Sequence, residues 1–250
     1  MPPQPIHARA FDQGQTPTIS CVNLSETDLG VSFDDLVRAL QKFVDEHFAP
    51  VWHTPCTLVQ TTGRIPKLNW AIVFVDTKKD AQDEGWHDLT PHGLPLSKVF
   101  VKTTLDGGDS VSVTASHELA EMLVDPGVQM GAQGPRGVWY AYETADAVEA
   151  DEFLVDGIAM TDFVYPAWFE GFHKPKSTKF DHLGKCTRPF EIRKGGYMSV
   201  FHGGRWKEKG PSRTRRKDFT TSFKKSEHHR ARFRSDPREA LNSKKSLGGP

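Results

Sequence analysis

Apolar residues almost vanish from the chain after Gly203, and this limits which part of it can fold around a core. Residues 203–250 carry 15 Lys and Arg against 5 Asp and Glu, a net charge of +10. A stretch of this composition cannot bury enough apolar surface to offset the entropy lost on folding. The preceding 202 residues carry 17 Lys and Arg against 27 Asp and Glu, a net charge of −10. The sequence therefore predicts an acidic folded part and a basic, extended C-terminal tail.

Three regions follow from this pattern. Residues 1–16 are polar and proline-rich and are predicted to form a flexible N-terminal arm, residues 17–202 a single folded domain, and residues 203–250 the basic tail. Three cysteines lie far apart without a C-x-x-C pair, which argues against a disulfide scaffold or a structural zinc ribbon and fits a reducing compartment. No apolar signal region and no 18-residue apolar run is present. We therefore expect a cytoplasmic protein with no secretion signal and no membrane partner.

The order of predicted elements indicates an α+β fold. The stretch WAIVFVDT at 70–77 is nearly all apolar, which is typical of a central strand. Apolar residues at helical spacing predict a helix over 32–48, with Ser32 as its N-cap. The other predictions are strands at 17–24, 56–62 and 98–104, a polar loop at 78–97, a helix over about 110–124, a strand and acidic turn within 137–153, and a hairpin within 156–171.

The second helix carries an unusual polar face in the stretch SVTASHELAEMLVDP, at 112–126. Projected at 100° per residue, its polar groups fall in one quadrant, opposite the apolar ones; they are His117, Glu118, Glu121 and Asp125. A histidine and an acidic residue four positions later can reach one ion, as the two histidines of an H-E-x-x-H zinc helix do. Because Glu121 takes the place of the second histidine, the ligand set is harder and the choice of metal extends beyond zinc. A polar face turned to water is the alternative.

A metal site needs further ligands, and the acidic run YETADAVEADE supplies candidates. Aromatic residues at 139, 140 and 142 suggest that Glu143 and Asp146 emerge from a packed strand, which makes these two the better ligands. The alternative for the run is a solvated acidic turn. Two histidines, His87 and His92, lie in the predicted loop before the strand at 98–104. They could act as a ligand or stabilise an oxyanion, although loop histidines are usually polar surface.

The segment from about Gly85 to Phe169 resembles a known family. The pattern S-H-E-x-x-E-x-x-x-D-P followed by E-x-x-D is similar to that of uncharacterised, zincin-like metallopeptidase-like proteins from bacterial and tailed-phage genomes, and more distantly to the Exordium (phosphate-induced) family. The resemblance covers about a third of the chain. It implies a zincin-like mixed sheet with a backing helix and a metal-site helix. It also implies roles for His117, Glu118, Glu121, Asp125, Glu143 and Asp146.

One departure from that family is visible. Related sequences often carry a cysteine beside the E-x-x-D acidic residue, whereas Thr144, Ala145 and Ala147 surround Asp146 here. No thiol from this segment can therefore join the site.

The prediction is a metal-dependent hydrolase, specifically a peptidase, acting on a peptide or protein substrate. A divalent metal, with zinc as the expected ion, is held by His117, Glu121 and one or both of Glu143 and Asp146, and Glu118 acts as the catalytic base. Asp125 orients His117 or fixes the helix end. The strand at 98–104 is expected to be an edge strand that pairs with the substrate.

A second hypothesis comes from a different class of protein. The same fold could serve, without catalysis, as a structural or accessory protein of a phage particle, anchored by the basic tail and associated with the virion. The tail at 203–250 could bind nucleic acid or virion proteins, or it could only keep the protein soluble.

Overall fold

The computed structural model describes residues 16–76, 84–90 and 92–210. Residues 1–15 of the predicted arm and residues 211–250 of the predicted tail lie outside the described residues. The chain divides into two compact units. Unit 1 comprises Met1–Pro126 and Asp151–Thr161, and unit 2 comprises Gly127–Ala150 and Asp162–Pro250.

Unit 1 is built on a five-stranded sheet whose order is β2-β1-β3-β5-β4. Its strands are β1 (Thr18–Asn23), β2 (Thr57–Gln60), β3 (Trp70–Val75), β4 (Gly85–Leu89) and β5 (Pro95–Phe100). All neighbouring pairs are parallel except β4 with β5, which is antiparallel. The apolar run WAIVFV forms the central strand β3, and five of its six residues are buried. The prediction of a central strand there is confirmed.

The helices of unit 1 lie on this sheet. Helix α1 (Phe33–Lys42) continues into a π-helical segment (Phe43–Phe48) and then α2 (Ala49–Trp52). Ser32 caps α1 by accepting a hydrogen bond from the Asp35 N–H at 3.1 Å, as the sequence predicts. Helices α3 (Val101–Gly107) and α4 (Val111–Val124) follow β5, and the hairpin of β8 (Glu152–Val155) and β9 (Ile158–Thr161) completes the unit.

Unit 2 contains a four-stranded antiparallel sheet of order β11-β10-β7-β6. Its strands are β6 (Gly131–Gln133), β7 (Trp139–Ala141), β10 (Met198–His202) and β11 (Arg205–Lys209). Short 3₁₀ turns lie at Pro135–Gly137, Asp146–Val148 and Pro166–Phe169. The rings of Tyr140, Trp168 and Phe190 pack together with centroids 4.5–6.0 Å apart and form an aromatic core.

The described residues contain both helices and multi-stranded sheets, which is consistent with the α+β class predicted from the sequence. Within the tail predicted at 203–250, Arg205–Lys209 forms β11 and pairs with β10 in unit 2. Among the residues that the structure describes, none of the helices has the length and apolar character that crossing a bilayer requires.

The region around β4 and β5 differs from the prediction. The strand expected at 98–104 runs over Pro95–Phe100, and the chain then forms α3, which buries Val101 and Thr104 and ends where Gly108 adopts a left-handed φ of 84°. The loop predicted at 78–97 contains strand β4. Because β5 lies between β3 and β4, β4 is the edge strand on this side of the sheet, and the expectation that 98–104 is an edge was wrong.

Candidate metal centre

Helix α4 carries the polar residues predicted to form the site. It is 14 residues long, begins after Ser110 and ends at Asp125, whose backbone N–H donates to the Glu121 carbonyl at 2.8 Å. Pro126 follows and cannot continue the helical hydrogen-bond pattern. The helix therefore has the bounds that its sequence predicts.

Unit 1 encloses α4 on more than one side. Ser97 of β5 donates through Oγ to the Glu118 carbonyl at 3.3 Å, and Ser116 accepts the Thr161 N–H of β9 at 2.9 Å. As a result, His117 is 8% exposed, Glu118 4% and Glu121 0%. The alternative in which this polar face is turned to water therefore does not hold. Burial of ionisable groups is costly unless charged or polar partners compensate it.

Two imidazoles face the carboxylates of α4. The Nε2 atom of His117 lies 3.3 Å from Oε1 of Glu121, one turn along the helix. The Nδ1 atom of His87 lies 3.5 Å from Oε2 of the same carboxylate and 3.6 Å from Oε2 of Glu118. Glu121 therefore directs one oxygen to each imidazole, and His87 links both carboxylates.

The electrostatics of this cluster favour opposite charges side by side. Burial alone would raise the pKa of Glu121, but the imidazoles of His117 and His87 outweigh it and hold that pKa well below its ordinary value. For His87, burial disfavours the charged ring, but Glu118 and Glu121 reverse this effect and raise its pKa to about 9. The carboxylates of this site thus stabilise a positive charge beside them.

Strand β4 brings His87 to the helix. The residue is 1% exposed and lies opposite Ser97 in the antiparallel pairing with β5. Gly85 of the same strand lies so close to α4 that a Cβ there would sit 2.8 Å from Cγ and Oε1 of Glu118. The other histidine predicted as a candidate, His92, is exposed in the turn after β4.

The remaining predicted residues are all buried. Glu143, Asp146 and Asp125 each have 0% exposure, and Asp146 begins a 3₁₀ turn of unit 2. The solvated acidic turn considered from the sequence therefore does not describe Glu143 or Asp146. Asp125 follows the last residue of α4 as its C-cap.

Buried His, Glu and Asp side chains could hold a metal ion. Within unit 1, the described residues bring His87 and His117 to the two carboxylate oxygens of Glu121. This group offers two imidazole nitrogens and two carboxylate oxygens. That ligand chemistry suits zinc and other divalent ions that accept mixed nitrogen and oxygen donors.

Sequence reasoning missed a second buried carboxylate pair, in unit 2. Asp162 and Asp181 are both fully buried and serve as backbone acceptors. Asp162 accepts from Phe163 and Leu183 at 2.8 and 3.1 Å, and Asp181 accepts from Lys185 and Cys186 at 2.8 and 2.7 Å. Burial, together with the neighbouring carboxyl of Asp181, raises the pKa of Asp162 to about 8. The two residues lie 19 positions apart, so no local sequence pattern predicts that they form a pair.

No protein-family model, curated protein or solved structure matches the chain. The site must therefore be interpreted from its own geometry and chemistry.

Proposed function

We propose that the protein is a metal-dependent hydrolase of zincin-like fold that cleaves peptide bonds. The observation that carries the proposal is the position of Glu121, a fully buried carboxylate with an imidazole 3.3 Å from one oxygen and another 3.5 Å from its second oxygen. Such a cluster is a favourable place for a cation, because burial penalises the carboxylates whenever positive charge is absent.

The architecture around the site supports the zincin-like reading. Helix α4 packs against a sheet whose edge strand β4 runs antiparallel to its neighbour, and α1 belongs to the same unit. The pattern S-H-E-x-x-E-x-x-x-D-P begins on α4 and ends at the Asp125-Pro126 step directly after it. Helix, edge strand and motif thus occur together in unit 1.

His117 and Glu121 would hold the cation, and His87 of β4 is a further candidate ligand; Glu143 and Asp146 stay ligands predicted from the sequence. The residues fit this role, because ligand-type atoms from a helix and a strand are already buried side by side in unit 1. A divalent cation held there would supply Lewis acidity and lower the pKa of a nearby water. Glutamate ligands reduce that acidity compared with histidines, because they donate more negative charge.

Glu118 is the residue proposed to move the proton. It precedes Glu121 by three positions, lies 4% exposed on the same helix face, and has His87 Nδ1 3.6 Å from its Oε2. Its carboxylate accepts a proton as water adds to the amide carbonyl carbon. It then returns that proton to the amine nitrogen when the C–N bond breaks. His87 would hold the Glu118 side chain in place during this exchange.

Strand β4 is the proposed docking edge for the substrate. Among the described strands, β4 has β5 as its neighbour in the sheet, and an extended peptide that added to the sheet along β4 would bring the bond to be cleaved near α4. Gly85 supports this role, because its missing side chain lets the strand approach Glu118 closely.

The proposal is tested first by elemental analysis of the purified protein and by digestion of a broad peptide library. We expect bound divalent metal, with zinc first among the candidates, and cleavage that chelators abolish. Glu118→Gln should keep the metal content and melting temperature and lose cleavage by at least 100-fold, which is in the range of general-base removal. Glu152→Gln, a change at an exposed residue of β8, is the matched control and should cleave normally.

Two outcomes separate this function from the alternative. Metal binding without any cleavage by the wild-type chain would favour the non-catalytic accessory protein of a phage particle, which should then be found in stoichiometric copies in purified particles. Absence of metal, together with absence of cleavage, would contradict the hydrolase outright.

A further inference from the structure

The chain changes from a net negative to a net positive charge upstream of the predicted start of the tail. Residues 1–171 carry 10 Lys and Arg against 25 Asp and Glu, whereas residues 172–250 carry 22 against 7. The net charges are therefore −15 and +15. The 23 residues from Phe172 to Lys194 account for seven of these cations and only two carboxylates. This basic segment, 172–194, belongs to unit 2 and is described by the structure throughout.

Six of the seven cations of the basic segment are exposed, and Arg193 is half-buried. Lys174, Lys176, Lys179, Lys185, Arg188 and Lys194 are all exposed. The turn that carries the first three is joined to the turn before Arg188 by a hydrogen bond of 2.7 Å, in which the Lys176 N–H donates to the Thr187 carbonyl. The two cationic turns are therefore neighbours, and their charges add locally.

The carboxylates of the basic segment are occupied within it. Asp181 is fully buried and accepts the backbone N–H groups of Lys185 and Cys186. Glu191 accepts both the backbone N–H and the hydroxyl of Thr187, at 2.6 and 2.9 Å. These hydrogen bonds fix the backbone beneath the lysines, and the fully buried Asp181 presents no negative charge at the surface beside them.

An aromatic ring stands at the start of the basic segment. Phe172 is 77% exposed and its ring lies 4.5 Å from that of His173. His173 in turn packs against the buried Phe180, 6.1 Å away. An exposed aromatic two residues before the first of several exposed lysines combines the two features that bind single-stranded nucleic acid, namely cations for the phosphates and a flat apolar face for a base.

We infer that the basic segment 172–194 of unit 2 is a binding surface for single-stranded nucleic acid. The lysines contact the phosphates and Phe172 stacks on a base. This function is independent of the metal centre on α4. It places a nucleic-acid contact in the folded part of the chain, upstream of the tail for which such binding is predicted from composition.

The test uses the full-length chain and a labelled oligothymidylate, with binding followed by fluorescence anisotropy across a salt series. The triple variant Lys174→Gln, Lys176→Gln and Lys179→Gln should raise the Kd at least tenfold. It should also reduce the slope of log K against log salt by about 2, since each phosphate contact contributes about 0.7 for a single strand. The control removes three exposed cations from unit 1, through Arg64→Gln, Lys67→Gln and Lys102→Gln, and should change the Kd by less than about twofold.

Stacking is tested separately. Phe172→Ala should weaken binding of the single strand at least fivefold, in keeping with the usual contribution of one stacked base, and should leave duplex binding unchanged. The control Leu68→Ala changes an apolar side chain that is 87% exposed in unit 1 and should have no effect.

Photocross-linking distinguishes this surface from the tail. With 4-thiothymidine in the oligonucleotide, mass spectrometry should find adducts within residues 172–194. Adducts confined to residues 211–250, or equal loss of affinity in the two triple variants, would overturn the inference. Stronger binding to phosphatidylglycerol vesicles than to the oligonucleotide, lost in the first triple variant, would also overturn it and identify an anionic membrane surface as the partner.

Discussion

Unit 1 buries the carboxyl groups of Glu118 and Glu121, and unit 2 buries those of Asp162 and Asp181. The surroundings shift the pKa of one member of each pair in opposite directions. In unit 1, Glu121 lies between two imidazoles, which hold its pKa well below the ordinary value. In unit 2, Asp162 lies beside Asp181, and its pKa rises to about 8. The first arrangement favours an ionised Glu121 that can hold a cation, and the second favours a proton on Asp162 beside a second carboxyl. Burial is common to both pairs, so the partner decides the chemistry.

The largest effect is expected when the unit 1 pair loses its charge. Glu121→Gln removes the carboxylate that both imidazoles contact, and breaking one side of a buried ion pair costs about 3–5 kcal/mol. The metal-free protein should lose about that much free energy of unfolding in urea, and the metal content of the purified variant should fall to near zero. Asp109→Asn, at an exposed position just before α4, is the control. Unchanged stability and metal content would show that Glu121 is not central to the cluster.

The stability contributed by the carboxyl pair of unit 2, Asp162 and Asp181, should fall as pH rises. The pKa of Asp162 is raised in the folded state, so its contribution is fully present below about pH 4, the ordinary aspartate range, and is lost as pH rises toward and through about 8. Asp162→Asn stays neutral and should remove this loss. We expect the difference in unfolding free energy between variant and wild type to shift in favour of the variant by roughly 4 kcal/mol between pH 5 and pH 9.

Chemical denaturation at both pH values measures this shift. Asp156→Asn, at an exposed position in the turn between β8 and β9, serves as the control. It should not change how the unfolding free energy varies with pH. If Asp162→Asn and wild type vary with pH in parallel, the two carboxyls do not share a proton.

A smaller effect should follow from crowding the unit 1 site. Gly85→Ala would place a methyl group 2.8 Å from Cγ and Oε1 of Glu118, and overpacking of this kind costs about 1–3 kcal/mol. Because the clash falls on the proposed base, peptide cleavage should fall by at least tenfold while bound metal is retained. Gly127→Ala meets only the flexible end of Gln129 and provides the comparison. Full cleavage by Gly85→Ala would mean that Glu118 does not need its present position.

The smallest effect is expected from a substitution that loosens the packing of α4 without changing the charge of the site. Ser116→Ala removes the hydroxyl that accepts the Thr161 N–H at 2.9 Å, and loss of one buried neutral hydrogen bond costs about 1–2 kcal/mol. Thermal unfolding should register this change, whereas metal affinity, followed by titration, should not move. A parallel loss of metal affinity would indicate that the position of α4, and not the charge on Glu121, controls the site.

Local signals in the sequence were enough for the elements with regular patterns. The apolar run of β3 and the bounds of α4 follow from residue order, because a strand or helix is set by near neighbours and by stop signals such as Pro126. The strand expected at 98–104 shows where this fails. Val99 and Val101 favour a strand equally, but the chain bends into α3 because Val101 and Thr104 are buried there.

The residues of the candidate site also differ in whether local sequence patterns predict their positions. The spacing of His117 and Glu121 predicted that they lie on one face of a helix, and their 3.3 Å contact agrees with it. That Glu143 and Asp146 are ligands stays a prediction. The position of His87 could not be predicted, because β4 lies within a stretch that has the composition of a polar loop. Its link to Glu118 depends on pairing with β5, a contact between strands and not a property of neighbouring residues.

By itself, the sequence determined that one helix carries an imidazole and acidic groups on a single face, and that charge divides the chain into an acidic and a basic part. Only the tertiary structure decided that this face is buried, that a second imidazole meets it, and that Asp162 comes to lie beside Asp181. The physical reason is range. Spacing along a helix is set by bonds between residues a few positions apart, whereas burial and charge pairing depend on segments brought together from distant parts of the chain.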